Sequence, residues 1–400
     1  MRLSDAVLHF PFTPAPYGEP PLEYDRLRRE APVTPVILPT GQRVWLVTGY
    51  ADAQTVVSDP RFSRDVRSAG LAVGTGTDFF VISGSFMYMD PPDHTRLRRL
   101  VQPFFTPRYL KPLLTSVEAL ADDCFDRFAE SGPPADLVSQ FAFPFTVRVA
   151  CQVLGIQEVD IPVLRFWAET IPSLTRSTSA EIERAVGEMG RWLTVELHAK
   201  REEPRDDLLT ALVTAQDSGH ITENEALNLA RLMVFAGQDS PGNLISRGAL
   251  LLMRHPDQWA ALCADPSLVD GAVEEILRYS MTSGTGLTHP TVACEDVTLS
   301  GVRIQAGEVV VSPLIAANRD PSTFTEPNTF DIARTDATSH ITFGKGIHYC
   351  LGAPLARIQL RVAFGGLARR FPAIRRGDTT DLTWSTDLLP NRIKELMVTW

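Results

Sequence analysis

The sequence reads as a mainly α protein with a small β-sheet region. Three observations predict this. Stretches with helical periodicity fill most of residues 108–216 and 222–280. β-rich runs gather in two places, around a Gly-containing turn near 33–48 and around Ser300-Gly301 and Ala306-Gly307. A glycine-rich run, HITFGKGIHYCLGAPLAR from His340 to Arg357, leads straight into a further helical pattern.

Composition narrows the function classes. A chain of 400 residues suggests two or three domains on length alone. With 44% hydrophobic and 22% charged residues it can bury a large core. A net charge of −10 argues against a nucleic-acid binder, which needs a basic face. The start, MRLSDAVLHFPF, has no apolar core of signal-peptide length, and no apolar run approaches membrane-spanning length. These features predict a soluble cytoplasmic protein with no membrane and no nucleic-acid partner. Five cysteines (Cys124, Cys151, Cys263, Cys294 and Cys350), with no C-x-x-C pair, fit a reducing compartment and offer no obvious zinc site.

In order, PLEYDRLRREA at 21–31 predicts a short helix. VTPVIL, PTGQ and RVWLVTGY predict a β-hairpin, and ADAQTVVSD another helix. Residues 60–89 are irregular and rich in Gly and Ser, with interleaved apolar side chains. A loop of that kind suits either core filling or a pocket wall. Asp90-Pro91-Pro92 signals a helix start, and His94 and Arg98, four apart, share one face of that helix. Thr222 and Glu225 form a capping box for a long helix reaching His255. Pro241, inside it, cannot donate to the Gly237 carbonyl, so the helix is expected to open or kink there. Glu275 and Arg278, three apart on a later helix, read locally as a surface ion pair of little worth. The tail from Arg375 suggests a terminal hairpin.

The chemistry centres on Cys350. Gly344 and Gly346 precede it, Gly352 follows, and a helix begins just beyond. A helix N-terminus supplies free N–H groups and a favourable dipole, and both lower a thiol pKa. A thiolate held this way serves as a nucleophile or as an axial ligand to heme iron. A lone cysteine is otherwise a small apolar core residue.

The run Phe-Gly-x-Gly-x-His-x-Cys-x-Gly resembles the heme-binding loop of the cytochrome P450 family, bacterial soluble type. The resemblance extends over roughly residues 30–400 and is most specific at 340–357 and 90–108. It implies one domain, residues 1–400, with many helices around heme b (iron protoporphyrin IX) and a small sheet region. By resemblance, Cys350 ligates the iron, and Phe343, Gly344, His348 and Gly352 contact the cofactor. His94 and Arg98 meet its propionates, and Ala236 and Gly237 pass over it. Asp239 and Ser240 fill the catalytic oxygen-side positions. Glu275, Arg278 and Arg334 (from PNTFDIAR) form a structural trio. The implied substrate pocket comprises Phe79, Phe80, Ile82, Phe86, Val234, Phe235, Leu287, Leu388 and Leu389.

Two positions depart from the family pattern. Ser240 stands where threonine is usual, and Thr291 where an arginine commonly binds a propionate. The second leaves propionate neutralisation to His94, Arg98 and His348, with His289 a further candidate. The resemblance implies a monooxygenase that takes O2, an apolar small-molecule substrate and two electrons from a ferredoxin fed by a ferredoxin reductase. Lys345 and Arg357, beside the loop, are expected to attract an acidic ferredoxin. A bacterial natural-product intermediate is the expected substrate. Oxidative coupling or desaturation on the same scaffold is the alternative, with a non-catalytic heme sensor or carrier as a third reading. A cysteine hydrolase would need His and Asn or Asp poised beside Cys350, and His348 on the same loop is poorly placed as a base.

Overall fold

A computed structural model describes residues 8–66, 85–157, 160–173, 176–280, 289–377, 382–385 and 392–400. Helix α1 (Leu22–Glu30) precedes the hairpin β1 (Val33–Ile37) and β2 (Arg43–Val47). Then follow α2 (Tyr50–Ser58), β3 (Phe62–Ser63), α3 (Asp93–Val101), α4 (Pro107–Glu130) and β4 (Ala135–Asp136). The helical body continues with α5 (Phe143–Leu154), α6 (Ile161–Thr170), α7 (Ser179–Glu202), α8 (Leu208–Asp217), α9 (Glu223–Arg254), α10 (Pro256–Ala264) and α11 (Val269–Tyr279). Short strands β5 (Thr291–Ala293), β6 (Val297–Leu299), β7 (Val302–Ile304) and β8 (Val309–Val311) precede α12 (Leu314–Ala317) and α13 (Ala353–Arg370). The chain closes with β9 (Arg375–Arg376), β10 (Trp384–Ser385), β11 (Arg392–Ile393) and β12 (Met397–Thr399).

The sheets tie distant sequence together. The main one runs β1-β2-β8-β5-β3, with β2 and β8 parallel and the other pairs antiparallel. β3 lies within the stretch read as irregular. Two residues carry too little periodicity to announce a strand, and pairing with β5 makes it one. β6 and β7 form a hairpin whose turn holds Ser300 and Gly301 at positive φ. The expected terminal hairpin is β10 with β11, while β12 pairs with β4 and β9.

The largest hydrophobic cluster fills the helical body, and two smaller ones pack against the main sheet. Helix α9 crosses the large cluster. Its N-terminus is capped as expected, the Thr222 hydroxyl accepting from the Glu225 N–H and the Glu225 carboxylate from the Thr222 N–H. Pro241 does not interrupt it, and the helix is one element from Glu223 to Arg254. Around the proline the Thr146 hydroxyl of α5 donates to the Gln238 carbonyl at 2.9 Å. A Cβ on Gly237 would meet the Ala150 Cβ at 2.9 Å, and one on Gly242 the Thr146 Oγ1 at 3.2 Å. The two glycines therefore let α5 press directly against α9.

Candidate active site

The Cys350 loop is held by its own backbone. The Gly344 N–H donates to Ile341 and the Cys350 N–H to Phe343, at 2.9 and 2.8 Å. Gly344 and Gly346 both sit at positive φ, and a Cβ on Gly346 would come within 2.9 Å of the Ser58 Cα in α2. Glycine at 346 thus answers both to backbone conformation and to the close approach of α2. Beyond the loop, Gly352 caps α13.

The loop floors a cavity of about 360 Å³, walled by α9, by the start of α13 and by residues near β3 and β5. Cys350 is accessible from this cavity, although protein encloses it. Burial raises its thiol pKa. The Gly352 and Ala353 N–H groups and the Arg98 and Arg357 cations oppose that without reversing it. The helix start thus favours the thiolate locally, as expected, but burial wins in the protein alone.

Much of the cavity wall is apolar, including Phe86, Leu232, Met233, Phe235, Leu244 and Leu355. Its polar groups include two arginines, Arg64 and Arg98, two histidines, His289 and His348, and one carboxylate, Asp239. Arg98 donates to the Tyr349 carbonyl at 2.6 Å. His94 is 2% exposed and lies behind the wall, its ring centroid 4.4 Å from that of His348. Among the described residues neither His94 nitrogen has a hydrogen-bond partner, and His348 Nε2 also lacks one. Burial and nearby cations lower both imidazole pKa values, His348 to about 2, so both are neutral N–H carriers here.

On the opposite wall, α9 presents Ala236, Gly237, Asp239 and Ser240. Asp239 is 6% exposed and pairs with Arg392 of β11, the Nε lying 2.7 Å from Oδ1. The Arg392 N–H is poorly aligned for a straight hydrogen bond, so proximity rather than bonding geometry holds the pair. Burial raises the Asp239 pKa against the pull of Arg392, which favours the protonated acid.

Behind the loop lies the expected trio. Glu275 and Arg278 are fully buried and joined by two bonds of 2.7 and 2.8 Å, and Arg334 reaches Glu275 at 3.3 Å. The surface reading of this pair is therefore replaced by a core network. Arg278 also donates to the Asn318 and Pro327 carbonyls, and Arg334 to those of Thr325, Glu326 and Thr329. Together they fix the chain that enters the Cys350 loop.

Not every expected position faces the cavity. Val234 is buried in the helical core, because α9 turns it away from the face that carries Met233, Ala236, Gly237 and Ser240. Phe86 and Phe235 do line the wall. Phe79, Phe80, Ile82, Leu287, Leu388 and Leu389 lie outside the described residues. Arg357 is not a free surface cation. It grips Glu274 at 2.6 and 2.9 Å and stacks 4.7 Å from the Phe343 ring, whereas Lys345 is exposed. The sequence reading missed Arg64, Tyr88 and Met233 in the wall, and Arg392 beside Asp239, while Met87, in the apolar loop read as a pocket wall or core filling, lines the cavity. Only long-range pairing brings Arg64 and Arg392 into place.

The residues fit a heme. A thiol faces the cavity, the wall is largely apolar, and among the described residues imidazole nitrogens without hydrogen-bond partners, with Arg64 and Arg98 bonded to neutral carbonyls, suit carboxylates. Comparison with known proteins agrees. A family model described as Cytochrome P450 matches residues 264–394. The mycinamicin IV hydroxylase/epoxidase of Micromonospora griseorubida is 38% identical, covering 94% of this chain and 94% of that protein. Nocardicin C N-oxygenase of Nocardia uniformis subsp. tsuyamanensis is 37% identical over 96% and 98%. The structure of the LnmA cytochrome P450 hydroxylase from the leinamycin biosynthetic pathway of Streptomyces atroolivaceus S-140 superposes with a TM-score of 0.88 at 35% identity, covering 98% of this chain and all of that one. The chain belongs to the cytochrome P450 family. It is accordingly a monooxygenase whose cofactor is heme. Among the described residues no helix is long and apolar enough to cross a membrane.

Proposed function

We propose that this monooxygenase inserts one oxygen atom into an apolar small molecule, an intermediate of bacterial natural-product biosynthesis. The reading takes residues 1–400 as one catalytic unit in the cytoplasm. One juxtaposition carries it: the Cys350 thiol and the Asp239–Ser240 pair stand on different walls of one largely apolar cavity. Relatives named for mycinamicin IV and nocardicin C support the substrate class.

Each residue has a task in this reading. Heme b bound in the cavity supplies the activation of O2. Cys350 would ligate its iron, with the Gly352 and Ala353 N–H groups stabilising the thiolate. His94, Arg98 and His348 would meet its propionates. Ala236 and Gly237 keep the distal wall free of bulk. Asp239, biased towards its protonated form, would donate a proton across the wall, and the Ser240 hydroxyl would pass it on. Arg392, against Asp239, would hold the carboxyl in place and stabilise the carboxylate left once the proton has gone, until solvent returns a proton to it. Electrons would arrive from a ferredoxin and its reductase at the loop side, where Lys345 offers an exposed cation.

The test is an optical titration of the purified ferric protein against terpenoid, macrolide, aromatic and cyclic-dipeptide compounds, followed by turnover in labelled O2. A saturable spectral shift and one labelled oxygen in the product are expected. A second reading, coupling or desaturation without oxygen transfer, rests on Ser240 in place of threonine, since serine is less fixed at χ1. A product free of label would sink oxygen insertion and leave that reading standing.

A further inference from the structure

Among the described residues Arg64 is a buried cation with no anion at its guanidinium. It is 7% exposed, and among those residues its one side-chain hydrogen bond runs from Nη1 to the His289 carbonyl at 2.9 Å. Among the described residues, no carboxylate lies within ion-pair distance of its guanidinium. The neighbouring acid, Asp90, accepts from the Ser63 hydroxyl and from the Arg64 backbone N–H. Burial lowers the guanidinium pKa to about 10 while Tyr88 and Asp90 pull it up, so the group remains charged at neutral pH. A buried charge with a single neutral acceptor is costly unless something completes it.

What it faces is the cavity. Arg64 lines the same cavity as Arg98, His348 and Cys350, and its charge is among those that depress the His348 pKa. Its position is set by the sheet. Phe62 pairs with Ala293 and Ser63 with Val292; Arg64 follows directly where β3 ends, and Thr291 precedes Val292 on β5, so continuing the register would bring the two opposite each other. Thr291 itself is 1% exposed, and its hydroxyl points to the Val310 carbonyl at 3.4 Å. It brings no cation to the cavity, while Arg64, directly after β3, brings a permanent one.

We propose that Arg64 is a carboxylate anchor of this cavity, holding a heme propionate from the β3 side of the strand pair in place of the cation that Thr291 does not supply. The assignment rests on the heme reading of the site. The same chemistry would hold a substrate carboxylate, and the experiment separates the two.

The substrate-free ferric holoproteins of wild type, Arg64→Met and Arg64→Lys are mixed with excess apomyoglobin, and the heme-transfer rate is followed. Apoprotein thermal midpoints are measured in parallel. Loss of one charge-assisted contact should speed heme release of Arg64→Met by about tenfold, with Arg64→Lys between it and wild type. The apoprotein midpoint should hold or rise in Arg64→Met, because an unpaired buried charge is removed. Release within twofold of wild type would overturn the proposal. So would a faster release matched by a fall in apoprotein stability, which would make Arg64 a packing residue. Unchanged heme release together with weaker spectral binding of a fatty acid, used as the carboxylate probe, would assign the residue to substrate instead and also overturn it. A wild-type protein that takes up no heme at all would overturn the heme reading itself, an outcome visible before any variant is made.

Discussion

Arg278 and Arg64 are both buried cations, 0% and 7% exposed, in one chain. Arg278 is answered by protein alone: a bidentate carboxylate, three backbone carbonyls at 2.9, 2.8 and 3.3 Å, and the Phe324 ring 5.3 Å away. Among the described residues Arg64 meets one carbonyl, and His94 and His348 carry nitrogens with no hydrogen-bond partner. The first region is complete as folded and serves to hold a loop. The second is left open by the protein, and in the proposal above a ligand completes it. The difference teaches that burial of charge does not by itself mark a binding site. The informative feature is a buried charge whose hydrogen bonds the protein has not supplied.

The largest effect should come from breaking the complete network. Glu275→Gln leaves two buried arginines short of their acid, and should cost about 3–5 kcal/mol, read as a fall in urea midpoint of apo and holo forms alike. A loss below about 1 kcal/mol would erase the distinction between the regions. Asp239–Arg392 stands between the extremes, close but misaligned. Asp239→Asn should lower product formation about 100-fold and cost less stability than Glu275→Gln, because the amide keeps the buried shape while the proton donor is lost and only one arginine is left without its acid. If turnover is unchanged, the acid belongs with the structural class. Arg98→Ala should release heme about tenfold faster while moving the apoprotein midpoint little. Equal losses in both would place Arg98 with Arg278.

The smallest effect sharpens the comparison by pH. Despite burial, His340 and Arg357 bring the Glu274 pKa from 4.5 down to about 2. Its folded value is below its unfolded one, so its contribution to stability is full above pH 4.5 and drains away as pH falls towards 2. Glu274→Gln should therefore flatten the acid limb of the stability profile and leave neutral heme binding largely in place. An unaltered acid limb would show that Glu274 is not what the loop loses in acid.

Local patterns announced much of this. The spacing of Phe343, the glycines, His348 and Cys350 marked the loop, and Thr222 with Glu225 marked the start of α9, because each device works within a few residues. Glu275 and Arg278 were visible as a pair, while their full burial was not, since i,i+3 spacing is the same at a surface and in a core. Arg64 and Arg392 stayed hidden because their partners are 225 and 153 residues away, joined only through sheet pairing and the closing hairpin. Arg357 read as a surface charge for the same reason: Glu274, which neutralises it, is 83 residues distant. Val234 was lost to arithmetic on one helix turn, where a shift of one residue moves a side chain from the pocket face to the core.

The contacts at Gly237 and Gly242 also set terms for anyone who would reshape this enzyme. With Ala150 and Thr146 already touching the helix, the ceiling of the cavity cannot be lowered or raised by repacking that seam without displacing backbone. Room for a bulkier guest must come from trimming side chains that hang from the walls, such as Phe86, Met233 or Phe235. Adaptation to new substrates is then a matter of furniture, with the height of the room fixed by two missing methyl groups.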